Sequence, residues 1–171
     1  MPKITPFLWF DTEAEEAAEF YVSLFPNSEI TNVSRYTGAG PRPEGSVMMV
    51  SFVLDGEKFT ALNGGPQFKF DQAISFVIPT KDQAETDHYY NALKDGGREH
   101  ACGWVQDRYG LAWQITPNRL MELITDPDHD GGGESGRAGE VQRLGGVGGG
   151  VVAEVIHGGA AGHQQNAQQH R

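Results

Sequence analysis

The chain is short of cysteine, of basic residues and of long apolar runs. One cysteine in 171 residues cannot form an internal disulfide and suits a reducing compartment. Thirteen Lys and Arg against 23 Asp and Glu give a net charge of −10, which argues against nucleic acid or an anionic membrane as a partner and is mildly compatible with a cationic ligand. No apolar run reaches the roughly 18 residues of a membrane span. The first residues, Met1-Pro2-Lys3, lead straight into a strand pattern without a signal peptide. These absences predict a cytoplasmic protein.

Aromatic residues are absent after Trp113, and 13 of the 23 glycines lie in residues 129–171. A segment of this composition buries too little apolar surface to offset the entropy of ordering its backbone. We therefore predict that residues 1–128 fold and that residues 129–171 form a disordered, glycine-rich tail.

Two segments of the folded part resemble each other at an offset of 69 residues. Phe7-Leu8-Trp9-Phe10 leads into a helical pattern that ends in Phe20-Tyr21 and Leu24. The run Phe76-Val77-Ile78-Pro79 leads into a second helical pattern that ends in Tyr89-Tyr90 and Leu93. A repeat of this size predicts two similar modules. We place them at residues 1–66 and 67–128, together forming one domain.

Each module has the pattern β-α-β-β-β, which predicts an α+β fold. Thr12 with Glu15 and Thr80 with Gln83 have the spacing of a capping box at the start of a helix. Asp55-Gly56 predicts a tight hairpin turn. Strands are predicted at residues 3–10, 29–37, 46–54, 58–63, 73–79, 98–106 and 110–116.

Four segments carry a resemblance to a known family: residues 6–10 (PFLWF), 62–66 (LNGGP), 102–110 (CGWVQDRYG) and 113–117 (WQITP). Together with the duplicated pattern, they resemble the PhnB-like branch of the glyoxalase/bleomycin-resistance/dioxygenase superfamily, the vicinal oxygen chelate fold. This branch is also called demethylubiquinone methyltransferase-like. The resemblance implies two modules with curled sheets and a homodimer.

Metal-using members of that superfamily place His or Glu at four sheet positions. Carried over by the resemblance, these positions fall at Pro6, Asn63, Ser75 and Gln114, with Ala61 as the alternative to Asn63 on the fourth strand. None of these side chains is an imidazole, thiolate or carboxylate, the ligands that transition metals favour. The resemblance therefore implies no metal site, and we predict no cofactor.

A neutral, polar set suits a small molecule held by hydrogen bonds. We predict a ligand site formed by Asn63, Ser75 and Gln114 with Trp9 and Trp113, the aromatic residues that neighbour the carried-over positions. The alternative is that Asn63 and Gln114 bond only to strand backbone or to each other, and that the aromatic side chains belong to the core.

His100 and Cys102 lie two residues apart on a predicted strand and share a face. A thiol beside an imidazole can act as a nucleophile, and these two residues are the weak catalytic candidates. The alternative is a small buried thiol next to a surface histidine.

Three functions remain open. The first is a metal-free protein that binds a small aromatic or cationic compound. The second is an enzyme, of the lyase, isomerase or transferase type, acting on a small metabolite. The third is a relic without a ligand. The sequence offers no glycine-rich loop between a strand and a helix of the kind that nucleotide-type cofactors need, so the methyltransferase name implies no activity here.

Overall fold

A computed structural model describes residues 3–100 and 103–118 of the chain. Cys102, the predicted end of the second module at residues 119–128 and the predicted tail at residues 129–171 lie outside the described residues. The chain divides into two compact units between Asp71 and Gln72. No helix among the described residues is both long and apolar enough to cross a membrane.

The first unit is a four-stranded sheet with one helix. Its strand order is β1-β4-β3-β2, with β1 parallel to β4 and the other neighbours antiparallel. Tyr21, Val50 and Phe52 are fully buried between helix and sheet. The elements are β1 (Phe7–Phe10), α1 (Ala14–Leu24), β2 (Glu29–Arg35), β3 (Val47–Leu54) and β4 (Glu57–Asn63).

The second unit repeats this arrangement with the order β5-β8-β7-β6, and β5 is parallel to β8. The single strand predicted at residues 98–106 is in fact two short strands that pair antiparallel. The predicted α+β fold of two β-α-β-β-β modules is confirmed. The elements are β5 (Ser75–Thr80), α2 (Gln83–Lys94), β6 (Arg98–Glu99), β7 (Trp104–Gln106) and β8 (Ala112–Pro117).

The turn between β3 and β4 is the predicted one. Asp55 and Gly56 both have positive φ, 46° and 84°. Two consecutive left-handed residues form the tight turn whose twist matches an antiparallel hairpin, and Gly adopts this conformation without steric cost.

The helices begin later than the capping boxes predict. In the first unit Glu13 is the N-cap and makes no capping bond with its side chain, so the Thr12–Glu15 box is wrong. In the second unit the cap is Asp82, whose carboxylate accepts a hydrogen bond from Glu85 N at 2.9 Å. Thr80 is instead the last residue of β5 and is buried, so the Thr80–Gln83 box is also wrong.

The 69-residue repeat holds for the helices and shifts by one residue in the strands. Tyr21 and Tyr90, 69 residues apart, are both buried. Leu8 on β1 is buried, but Val77, 69 residues later on β5, is 55% exposed, and its neighbour Ile78 is buried instead. Because side chains alternate across a strand, a shift of one residue exchanges the two faces of the sheet.

Candidate functional site

Each sheet has one face covered by its own helix and an opposite face, which we call the front face. The covered face of the first sheet carries Phe10, Ala61 and Asn63, all buried. The covered face of the second sheet carries Thr80, whose Oγ1 lies 2.7 Å from Thr86 Oγ1 on α2. Alternation along the strands then assigns every other residue to a face.

Asn63 lies on the helix-covered face, and so does its alternative Ala61. The Asn63 Oδ1 accepts a hydrogen bond from Ala14 N at 2.8 Å, and its Nδ2 donates to Val47 O at 3.1 Å. Its backbone oxygen accepts from the Tyr36 hydroxyl at 2.8 Å. The side-chain amide is thus bonded at both ends to the backbone of its own unit, with one partner at the start of α1 and the other on β3.

Trp113 also lies on a helix-covered face, and 3% of its surface is exposed. Its Nε1 donates to Asp107 Oδ2 at 2.8 Å, and its ring lies 5.6 Å from that of Phe76. The Asp107 carboxylate is buried and also accepts hydrogen bonds from Tyr109 N and Leu111 N. This carboxylate joins the β7–β8 turn to the aromatic core of the second unit.

Trp9 lies on the front face of the first sheet. Its Nε1 donates to Gly65 O at 2.8 Å, and its ring meets that of Phe68 edge-on at 5.0 Å. A Cβ at Gly64 would come within 2.2 Å of the Trp9 ring. Glycine is therefore required at position 64, because the indole rests directly on the backbone.

Gln114 and Ser75 lie together on the front face of the second sheet. Gln114 Nε2 donates to Ser75 Oγ at 2.7 Å, and both residues are half-buried. Of the five residues of the predicted site, the structure brings only Ser75 and Gln114 together. Trp9 lies in the first unit, and Asn63 and Trp113 lie on helix-covered faces.

Trp104 is the aromatic residue that stands beside Gln114. The two residues are direct partners across β7 and β8, and Val77 is the partner of Gln114 on β5. Beyond Trp104 on the other side, His100 N donates to Trp104 O at 2.9 Å and continues the pairing of β6 with β7. His100, Trp104, Gln114 and Val77 therefore form one row across the front face.

Proximity in sequence favours Trp113 as the partner of Gln114, but consecutive strand residues point to opposite faces. The residue that shares a face with Gln114 is its partner across the sheet, which the sequence does not specify. No local signal in the sequence identifies Trp104, because alternation along Trp104-Val105-Gln106 separates the two faces but does not give the register of β7 against β8.

The second row of the front face runs parallel to the first. Arg98 pairs with Gln106, Gln106 with Ala112 and Ala112 with Ser75. The hydrogen bond from Gln114 to Ser75 links the two rows. The two rows thus consist of Ser75, Val77, Arg98, His100, Trp104, Gln106, Ala112 and Gln114, and the front face continues at Pro79 and Thr116, the next pair of β5 and β8.

The charged groups Glu99 and Lys94 near β6 lie on the side of α2, away from the front face. Glu99 accepts a hydrogen bond from Lys94 Nζ at 2.7 Å on the side of α2. Hydrogen bonds from Lys94 and Tyr90 lower the pKa of Glu99. Burial, with the nearby Glu99 carboxylate, raises the pKa of Tyr90 to about 12. These groups hold the helix against the sheet and leave the front face without their charges.

The donor chemistry of the carried-over positions does not fit a transition metal. Pro6 has no side-chain donor, the amide of Asn63 is bonded to backbone, and Ser75 and Gln114 are bonded to each other. Among residues 3–100 and 103–118, no three His, Cys, Asp or Glu side chains are grouped to hold a metal ion.

A cavity of about 350 Å³ lies in the first unit, on the side of β2, β3 and β4. It contains none of the predicted site residues. Its lining consists of Thr5, Thr31, Ser51, Phe52, Val53, Lys58, Phe59 and Thr60.

Comparison with known proteins identifies the family. Residues 2–116 match the model of the family described as 3-demethylubiquinone-9 3-methyltransferase. A putative 3-demethylubiquinone-9 3-methyltransferase, a PhnB protein from Bacillus cereus, is 36% identical, with 68% of this chain and 99% of that chain covered and a TM-score of 0.64. No curated protein matches the chain.

Two more distant solved structures share the fold. A protein from Pseudomonas aeruginosa is 21% identical, with 68% of this chain and 98% of that chain covered and a TM-score of 0.56. The fosfomycin resistance protein FosX from Mesorhizobium loti is 12% identical, with 72% and 98% covered and a TM-score of 0.50. The chain therefore belongs to the PhnB-like family described as 3-demethylubiquinone-9 3-methyltransferase, as its motifs predict.

Proposed function

We propose that the chain binds a small aromatic compound on the front face of the second sheet, without a catalytic metal. The observation that carries this proposal is the row in which Trp104 and Gln114 are direct partners, with Ser75 bonded to Gln114. An indole offers a flat apolar surface for stacking, and an amide and a hydroxyl offer hydrogen bonds that fix orientation. Ligand sites commonly combine an aromatic surface with a few polar groups in this way.

The side chains of the row support binding more than chemistry. Gln114 and Ser75 do not titrate near neutral pH and are poor general acids or bases. The Gln114 Oε1 has no hydrogen bond to another described residue, so it is available to a donor on a ligand. The strand-to-helix connections at residues 11–13 and 81–82 hold no glycine, which argues against the phosphate-binding loop of a nucleotide-type cofactor.

An enzyme is the second candidate, and one observation favours it. His100 lies at the end of the same row, next to Trp104, and Gln72 Nε2 lies 2.8 Å from each of its two ring nitrogens. An imidazole beside a bound compound is a candidate proton donor or acceptor for it. This alternative requires a turnover that depends on His100.

A thermal-shift screen of several hundred metabolites and antibiotics, with and without added metals, tests the proposal. A ligand at 100 times its Kd adds about 2.7 kcal/mol of stability, enough to raise the melting temperature by several degrees. We expect a hit without metal whose shift is lost in Trp104→Leu and Gln114→Ala. The exposed Gln67→Ala is the matched control and should keep the shift.

The result also separates the two candidates. Binding that survives His100→Ala, with the compound recovered unchanged, supports the binding protein. Conversion of the compound that stops in His100→Ala supports the enzyme. A hit that is unaffected by Trp104→Leu and Gln114→Ala would show that the site lies elsewhere.

A further inference from the structure

Arg98 differs from the other three arginines of the described residues. Each of the others forms a salt bridge: Arg35 with Glu15, Arg42 with Asp11, and Arg108 with Asp95. Arg98 has no salt bridge or side-chain hydrogen bond to any residue within 3–100 and 103–118. Its guanidinium is exposed and keeps its donors for a partner from outside.

Arg98 lacks a salt bridge to any described residue because the side chains of β6 alternate between the two faces of the sheet. The neighbouring carboxylate, Glu99, points to the side of α2 and is bonded to Lys94 there. Arg98 is the partner of Gln106 and so points to the front face. A strand of two charged residues thus places its anion on one face of the sheet and its cation on the other.

Within the part of the chain that the structure describes, the front face also carries no acidic side chain. Its two rows comprise Arg98, His100, neutral polar side chains, one Trp and two small apolar residues. The next pair on this face is Pro79 and Thr116, and none of these residues is Asp or Glu. The chain as a whole carries a net charge of −10. An anion that is repelled by most of this protein would therefore meet a local cation on this face.

The positions of Arg98 and Trp104 match a ligand that is both flat and charged. They lie on adjacent strands, about 4.8 Å apart, and in neighbouring rows, about 7 Å apart along the strand. This diagonal lets a ring stack on the indole while a group attached to the ring reaches the guanidinium. Arg binds planar carboxylates especially well, through two parallel N–H bonds.

We propose that this face selects a planar aromatic carboxylate, with the ring on Trp104, the carboxylate at Arg98 and a polar substituent at Gln114. This inference rests on the proposed function and narrows its ligand class. The net charge of the chain suggests a cationic ligand, whereas this inference predicts an anionic one. A cationic ring on Trp104 would lie one row from Arg98 and be repelled by it.

The test uses three matched classes of probe on the full-length, ¹⁵N-labelled chain. The carboxylates are benzoate and indole-3-acetate, the neutral analogues are benzamide and indole-3-acetamide, and the amines are benzylamine and tryptamine. Binding is followed by the indole N–H resonance of Trp104, which the variant Trp104→Phe assigns. This readout reports on the proposed face and not on Trp9 or Trp113.

We expect carboxylates to bind with a Kd about fivefold lower than that of their amides at low salt, the size of effect that an exposed ion pair can give. The preference should shrink as salt is added, because exposed charges are screened. In Arg98→Gln the carboxylates should bind no better than the amides, with amide binding unchanged. The control Arg35→Gln, which removes an exposed arginine of the first unit, should keep the preference.

Equal binding of the carboxylates and amides, tighter binding of the amines, or a preference that persists in Arg98→Gln would overturn the inference. In these three cases the probes still shift the Trp104 resonance, and the proposed binding function stands. If no probe shifts that resonance while a hit from the metabolite screen does, the ligand class is wrong and the site is right. If neither shifts it, the proposed function fails and the inference fails with it.

Discussion

Asn63 caps the first helix from across the sheet. Its Oδ1 accepts a hydrogen bond from Ala14 N at 2.8 Å, although the two residues are 49 positions apart. Ala14 N is one of the first helical amides, which have no partner within the helix. The same side chain donates to Val47 O, so one buried amide joins the start of α1 to the first residue of β3 and the last residue of β4.

Asn63→Ala should therefore destabilise the protein by about 2–3 kcal/mol, because it leaves a buried N–H and a partly buried C=O without partners. The measurement is chemical denaturation of both proteins at pH 7. The exposed Asn32→Ala is the matched control and should change stability by less than about 0.5 kcal/mol. Equal effects of the two substitutions would show that the Asn63 bonds are not formed.

Asp107→Asn should lower the free energy of unfolding by about 2–4 kcal/mol. The substitution replaces a charged acceptor of three hydrogen bonds by an amide with one acceptor oxygen. The Trp113 indole should lose its partner, and near-ultraviolet circular dichroism should change with it. The control is Asp87→Asn on the exposed side of α2, where an amide oxygen can still accept from Gln83. A stability like that of the control would contradict the buried role of Asp107.

The raised pKa of Tyr90 predicts that the folded protein loses stability at alkaline pH. This pKa is raised in the folded protein from an ordinary value of 10.0 to about 12. The folded state thus favours the neutral phenol, so this contribution is complete below pH 10 and is lost as the pH rises toward 12. Between pH 9 and pH 11 the free energy of unfolding of the unaltered chain should fall relative to that of Tyr90→Phe, measured by denaturant titration at each pH. A difference that stays constant over this range would disprove the shift.

We predict a two-fold homodimer, as the family resemblance implies. Large apolar side chains are exposed in both units: Ile4 at 86%, Phe7 at 56% and Phe68 at 64% in the first, and Ile74 at 72% in the second. Exposed apolar patches mark interaction surfaces. Light scattering should give twice the 18.6 kDa mass of the chain at micromolar concentration. A monomer mass under those conditions would refute the prediction.

The untagged protein should contain well under one zinc, nickel, manganese or iron per chain at the sheet positions. The reason is that amides and a hydroxyl are weak ligands for these ions. Elemental analysis gives the total, and Ser75→Ala with Gln114→Ala shows whether any metal is held there. One metal per chain that is lost in this double variant would overturn the metal-free site.

Much of the fold follows from local patterns in the chain. The helical stripe that includes Ala17 and Tyr21, the left-handed Asp55-Gly56 turn and the apolar runs of the strands specify one helix and a set of strands in each module. These features depend on neighbours within a few residues, so the sequence predicts them directly. Composition likewise predicts which partners the chain disfavours.

Tertiary structure decided which residues share a face and what they bond to. A single-residue shift in strand register separates Leu8 from Val77, and alternation places Trp113 in the core while Trp104 stands beside Gln114. The cap of α1 comes from Asn63 rather than from the nearby Thr12, because the sheet brings a distant amide to the helix start. The sequence determined that two modules form and what chemistry they carry. Pairing between strands determined which of those groups can meet, since register depends on contacts between residues far apart in the chain.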